Sequence, residues 1–179
     1  MSDLIIATEL AREPGNSRSV HMTLTLPERL GTDVIAIPAG AELELDLLLE
    51  SVMEGILVTG TARGTLEGEC VRCLASIEEE VEVELTELYA YPEALAETGE
   101  EDEEGEPVPV VEDETIDLSD LVIDAIVGDL PFNPVCSEDC PGLCPECGVR
   151  LADHPGHAHE APIDPRWSAL KELAGDDEP

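Results

Sequence analysis

The chain has 179 residues, of which 43 are acidic and 8 are lysine or arginine, so its formal net charge at pH 7 is −35. This charge repels phosphate backbones and anionic bilayers, which excludes direct binding of DNA, RNA or membranes through a basic surface. Aromatic residues make up 2% of the chain. The composition therefore predicts an aliphatic core and excludes a base-stacking platform for single-stranded nucleic acid.

Alternating apolar and acidic residues predict antiparallel strands in the first half of the chain. In residues 41–50, leucines alternate with acids, as in a strand that buries one face. The same pattern returns in residues 76–89, and residues 20–26 alternate more weakly. Residues 55–69 combine β-branched residues with glycine, which indicates one long strand or two short ones. Consecutive strands with local turns predict an antiparallel β meander over residues 1–92.

The second half of the chain is predicted to begin with a loop and continue with a helix. Residues 93–115 are rich in acids, contain proline and glycine and have no basic residue, which predicts a flexible acidic loop. Apolar residues then recur at helical spacing after Asp117, a good N-cap. Residues 116–179 are predicted to hold this helix, a cysteine-rich segment and a tail with a short helix near residues 167–173. The predicted fold is a single α+β domain.

Four cysteines within twelve residues predict a metal site resembling a zinc knuckle. No signal peptide or membrane span is predicted, so we expect a cytoplasmic protein, in which reduced cysteines are metal ligands rather than disulfides. Glycine after the last cysteine permits a positive φ and allows backbone N–H groups to point at sulfur. We predict one structural zinc ion, Zn²⁺, held by four thiolates. The predicted ligands are Cys136, Cys140, Cys144 and Cys147.

A second cysteine pair and a group of histidines leave alternatives open. Cys70 and Cys73 form a C-x2-C pair that fits a redox couple, half of a zinc site shared with Cys144 and Cys147, or a tight turn with two buried thiols. We expect a strand turn near the protein's surface, outside the zinc shell. The loop histidines are alternative zinc ligands or exposed side chains. They are His154, His157 and His159.

The sequence contains no motif that predicts catalysis. It lacks a G-x-S-x-G nucleophile motif, a phosphate-binding glycine loop and an H-E-x-x-H zinc motif. We therefore expect a non-enzymatic protein.

The order of several motifs resembles the YceD family, the bacterial large ribosomal RNA subunit accumulation proteins. These motifs are Cys-x-Arg-Cys-Leu at residues 70–74, Asp-Leu at 117–118, Gly-Leu-Cys-Pro-x-Cys-Gly at 142–148 and Asp-Pro-Arg at 164–166. The resemblance implies a role in the synthesis, processing or stability of large-subunit (23S) ribosomal RNA, without a known catalytic step. Many members carry a further cysteine pair where this chain has histidines, and others lack the C-terminal cysteines.

The charge distribution suggests what kind of partner the protein binds. Between Cys73 and Val149 there are 24 acids and no lysine, arginine or histidine. This surface is either a solvated face or the binding site of a basic protein, and we expect a large-subunit ribosomal protein. The alternative is an acidic nucleic-acid mimic that occupies the basic site of an RNA- or DNA-acting enzyme. The predicted partner-binding residues are Glu100, Glu101, Asp102, Glu103 and Glu104.

Overall fold

A computed structural model describes residues 4–98 and 108–159 of the chain. It divides the chain into two compact units, Met1–Glu138 and Asp139–Pro179. The acids predicted to bind a partner, at positions 100–104, and the helix predicted near residues 167–173 lie outside the described residues. The division at residues 92 and 115 that composition suggests remains a prediction.

The first unit contains eight strands and two helices in its described part. The strands are β1 (Ile5–Ala7), β2 (Ser17–Thr25), β3 (Leu30–Gly31), β4 (Ile35–Ile37), β5 (Glu42–Ser51), β6 (Gly55–Glu69), β7 (Ser76–Ala90) and β8 (Thr115–Asp117). The helices are α1 (Pro92–Thr98) and α2 (Ser119–Asp129).

Strand β6 is the centre of a six-stranded antiparallel sheet that forms a half-barrel. It pairs with β7 along its whole length, from Gly55 opposite Ala90 to Glu69 opposite Ser76. Its other edge pairs first with β5 and then with β4, while β2 and β3 extend the sheet beyond these two strands. Strands β1 and β8 form a separate two-stranded sheet. The prediction of a mainly antiparallel β fold with short helices is confirmed.

The core lies on the inner face of the sheet, as the alternation predicts. Leucines at every second position of β5 are buried, and so are Val81, Val83 and Leu85 of β7. Gly64 allows close packing on this face, because a Cβ atom there would lie 2.7 Å from Cδ1 of Ile37. Helix α2 contacts β7 and β3 and contributes buried apolar side chains to the same core. Its fully or almost fully buried side chains are Val122 and Ile126.

The segment predicted as a flexible loop is partly ordered. It begins within α1, where proline at the first helical position and an acid in the first turn favour a helix start. Near its end, Val111 is buried and its N–H donates to the Ala90 carbonyl at 3.0 Å. Asp117 ends β8 rather than standing at the N-cap position of α2, and its Oδ1 accepts the Ser119 N–H at 2.9 Å. Among the described residues, no helix is long and apolar enough to cross a bilayer.

Candidate metal centres

The turn between β6 and β7, which carries Cys70 and Cys73, has the hydrogen-bond pattern of a zinc knuckle. The Leu74 N–H donates to the Cys70 carbonyl at 2.9 Å, and the Cys70 N–H donates to the Ala75 carbonyl at 2.8 Å. These bonds close the turn and place both sulfurs on one side. Both cysteines are buried, with exposed fractions of 0% and 4%. The prediction of a strand turn is confirmed, but the expected surface position is wrong.

Cys136 brings a third thiol to this turn. Its Sγ atom lies 3.6 Å from Sγ of Cys73, and the sulfurs of Cys70, Cys73 and Cys136 all lie within 4.8 Å of one another. Two hydrogen bonds hold the segment that carries Cys136. The Val71 N–H donates to the Pro134 carbonyl at 3.0 Å, and Nη1 of Arg72 donates to the Glu138 carbonyl at 2.9 Å. We call these three cysteines the first cluster.

Backbone donors favour the thiolate form at the first cluster. The Cys136 N–H donates to the sulfur of Cys70, and the N–H groups of Arg72 and Cys73 add to it. Together they outweigh the effect of burial and lower the pKa of the Cys70 thiol from 9.0 to about 6. Because the thiolate is the form that binds a metal, the turn is suited to hold one at neutral pH.

The first cluster fits the geometry of zinc. Four thiolates around Zn²⁺ at about 2.3 Å place neighbouring sulfurs roughly 3.8 Å apart. The separation of 3.6 Å between Cys73 and Cys136 agrees with this value. Cys140, which follows Cys136 by four residues, is also buried.

The second unit contains a second knuckle turn at Cys144 and Cys147. The Gly148 N–H donates to the Cys144 carbonyl at 2.8 Å, and the Cys144 N–H donates to the Val149 carbonyl at 2.8 Å. Gly148 has a φ of +72°, as the sequence predicts. The N–H groups of Cys147 and then Glu146 lower the pKa of the Cys144 thiol to about 6. This turn therefore repeats the hydrogen bonding of the β6–β7 turn.

Two histidines share the neighbourhood of the second turn. The ligand atoms of Cys144, Cys147, His157 and His159 all lie within 4.8 Å of one another. We call these four residues the second cluster. Like the first, it could hold a metal ion such as zinc.

The structure thus divides the four cysteines that the sequence predicts as one site. Cys136 lies with Cys70 and Cys73, whereas Cys144 and Cys147 lie with histidines. The sequence predicts that Cys70 and Cys73 lie outside the zinc shell, but the structure places the predicted ligand Cys136 beside them. The physical reason is that each C-x2-C turn presents two sulfurs to one point, so that each needs its own pair of partners to close a tetrahedron. The repeated C-x2-C and the His-x-His at 157–159 were the sequence signals for this division.

A backbone difference between the two turns gives a testable prediction. Leu74 occupies the position that corresponds to Gly148 and has a φ of +57°, a conformation that costs a residue with a Cβ atom roughly 1–2 kcal/mol. Its side chain is 55% exposed, so little apolar burial would be lost on truncation. We expect Leu74→Gly to stabilise the zinc-loaded chain by up to about 1 kcal/mol, measured by denaturant unfolding. The reciprocal Gly148→Leu should weaken zinc binding, and a destabilising Leu74→Gly would contradict the strain argument.

The described residues also include an acidic surface that sequence analysis did not single out. The strand pairing places Glu44 of β5, Arg63 of β6 and Glu82 of β7 side by side on the outer face of the sheet. Arg63 Nε donates to Glu82 Oε2 at 2.6 Å, and its Nη1 donates to Asp46 Oδ2 at 3.1 Å. Ten carboxylates share this outer face, which we call the acidic sheet face. They are Glu42, Glu44, Asp46, Glu50, Glu67, Glu69, Glu78, Glu80, Glu82 and Glu84.

Sequence comparisons show which known proteins are similar to this chain. The sequence profile of the large ribosomal RNA subunit accumulation protein YceD matches residues 58–174. An uncharacterized protein of Mycobacterium tuberculosis is 55% identical over 167 residues, which cover 93% of this chain and 78% of that protein. An uncharacterized protein of Mycobacterium leprae is 44% identical, over 96% of this chain and 77% of that protein. The uncharacterized protein YlbN of Bacillus subtilis is 29% identical, over 64% and 66%. No solved structure matches the chain.

Proposed function

Because the chain belongs to the YceD family of large ribosomal RNA subunit accumulation proteins, we propose that it supports this accumulation as a non-enzymatic factor that binds a basic protein. Membership of the family implies the role in large-subunit RNA. A net charge of −35 argues that the chain does not grip this RNA itself. A basic ribosomal protein of the large subunit would link the two facts. The acidic chain would bind this protein and transfer it to the assembling subunit, where it contacts the RNA.

The acidic sheet face is the observation that carries this proposal. Its ten carboxylates stand on one continuous surface, with Arg63 as the only arginine or lysine on that face in the described strands. The Arg63 hydrogen bond lowers the pKa of Glu82, and the His21 hydrogen bond lowers that of Asp46, so these acids stay ionised. Acids so close together repel one another, and lysine or arginine from a partner would relieve that repulsion.

A groove on this face is suited to basic side chains. It has a volume of about 500 Å³ and lies beside Arg63, where Glu42, Glu44, Glu80 and Glu82 contribute to its walls. Individual exposed ion pairs contribute about 0–1 kcal/mol each. Affinity must therefore come from many pairs acting together, which makes it sensitive to salt.

The test is a pull-down with the full chain, in which bound proteins and RNA are identified at low and high salt. We expect basic large-subunit proteins, whose binding falls steeply between about 0.1 M and 1 M salt as the Debye length shrinks from about 10 Å to about 3 Å. The variant Glu78→Gln, Glu80→Gln, Glu84→Gln should bind at least several-fold less. Its matched control, Glu13→Gln, Glu28→Gln, Glu54→Gln, removes the same charge outside the strands and should bind normally.

Three results would count against the proposal. Bare RNA that binds as tightly as any protein would contradict the absence of direct RNA binding. Affinity that is independent of salt would contradict the acidic face. Capture of an RNA- or DNA-acting enzyme through its nucleic-acid site would favour the alternative of a nucleic-acid mimic.

We also propose that zinc at the first cluster is structural rather than catalytic. Two of its three cysteines, Cys70 and Cys73, are buried, and a fourth thiolate would complete the shell. Such a shell leaves no open position for water or substrate. When bound, the metal would tie the segment after Pro134 to the β6–β7 turn, at one end of the strands that carry the acidic sheet face.

A further inference from the structure

We propose that the second unit holds its own zinc ion, with Cys144, Cys147, His157 and His159 as ligands, so that each chain carries two metal ions rather than the one predicted from sequence. This inference does not rest on the proposed function. It concerns a Cys₂His₂ site whose four donors all come from residues 144–159 of the second unit.

The first argument is the convergence of three electron-pair donors. Nε2 of His157 lies 3.3 Å from Sγ of Cys147, and Nε2 of His159 lies 3.2 Å from the same sulfur. The two Nε2 atoms are 2.8 Å apart. A tetrahedral zinc ion with Zn–N of about 2.0–2.1 Å and Zn–S of about 2.3 Å needs separations of roughly 3.3–3.6 Å. The two sulfur–nitrogen separations are within about 0.4 Å of these values, and the nitrogen–nitrogen separation is about 0.5 Å too short, so the donors need to move apart only slightly for a bound cation to satisfy all of them at once.

The second argument is an outer carboxylate that orients one of the histidines. Nδ1 of His159 lies 3.4 Å from Oε2 of Glu146, on the side of the ring opposite the cluster. A proton on Nδ1 that faces this carboxylate leaves the lone pair on Nε2 directed at the metal. This carboxylate–histidine pairing is typical of zinc sites and fixes the orientation of the ligand ring.

The third argument is energetic. The buried apolar core of the described residues ends at Leu130, and no described residue of the second unit belongs to it. Within that unit, Leu143, Val149 and Leu151 are only half-buried. A segment with so little apolar burial needs another source of folding free energy, and metal binding supplies it in small zinc domains.

The test is the zinc content of the purified full chain, measured by mass spectrometry alongside protein concentration. We expect two zinc ions per chain in the native protein, and one in each of His157→Ala and His159→Ala. His154→Ala is the matched control, because His154 lies in the same loop outside the cluster, and it should retain two. Far-UV circular dichroism checks that the sheet of the first unit is intact in every variant.

A second measurement identifies the ligands directly. Cobalt-loaded protein should show the sum of a sulfur-rich spectrum and a Cys₂His₂ spectrum, and His157→Ala should remove the second component. Glu146→Gln should keep both ions at saturating zinc but weaken the second site by about 10–100-fold. The proposal is overturned if the native chain holds one zinc ion that the histidine variants retain, or if His154→Ala loses as much metal as His157→Ala. These readouts need no partner and no RNA, so their failure is distinct from failure of the proposed function.

Discussion

Cys73→Ser is expected to lower the zinc content of the chain from two ions to one. The Cys73 sulfur lies 3.6 Å from that of Cys136 and is almost fully buried, so no other ligand or water can replace it easily. A serine hydroxyl is a poor zinc ligand at neutral pH, because it stays protonated. Metal analysis and cobalt spectra should show that the sulfur-rich site is lost while the Cys₂His₂ site remains.

The loss should also destabilise the first unit. Structural zinc contributes about 10–16 kcal/mol of apparent binding free energy in small zinc-finger peptides, and removal of one ligand forfeits a large part of it. We expect a clear drop in the thermal midpoint and early proteolysis near Pro134. Val71→Ala is the matched control, since Val71 is an exposed member of the same turn whose hydrogen bond comes from the backbone. If Cys73→Ser retained all of its zinc, this prediction would be wrong. The result would then favour the single site predicted from the sequence, with Cys136, Cys140, Cys144 and Cys147 as ligands.

The long strands were predictable from sequence because each buries one face. The predicted segment 55–69 coincides with β6, and the segment 76–89 differs from β7 by one residue. The short strands β1, β3, β4 and β8 have two or three residues each, too few for an alternation to show. Their existence depends on pairing partners far along the chain, such as β8 for β1.

The candidate metal centres were only half predictable for a similar reason. Sequence spacing indicates which side chains are candidate zinc ligands, but the fold determines which of them meet. Cys70 and Cys136 are separated by 66 positions, and hydrogen bonds from the β6–β7 turn to Pro134 and Glu138 bring them together. The cysteines from 136 to 147 form one compact motif in sequence, which favoured a single site. Likewise, the acidic sheet face is assembled from strands that pair across the sheet, so composition alone drew attention to the acids at 100–104 instead.

Ile126→Ala is expected to cost the first unit about 2–5 kcal/mol, the usual range for truncation of a large buried aliphatic side chain. Ile126 has no exposed surface and belongs to the core through which α2 contacts β7. Small domains have a total stability of about 5–15 kcal/mol, so the variant should be marginal. Urea unfolding followed by far-UV circular dichroism should show a lower midpoint with an unchanged dependence on denaturant.

Val127→Ala is the control for this prediction, because Val127 is the next residue of α2 and is 40% exposed. It should change the unfolding free energy by no more than about 0.5 kcal/mol. Equal losses in the two variants would show that α2 does not pack on β7 through this face. The result bears on function as well, since the inner face of β7 is held by this core and its outer face carries Glu78, Glu80, Glu82 and Glu84. A variant that loosens α2 should therefore weaken binding of a basic partner without any change in charge, whereas Val127→Ala should not.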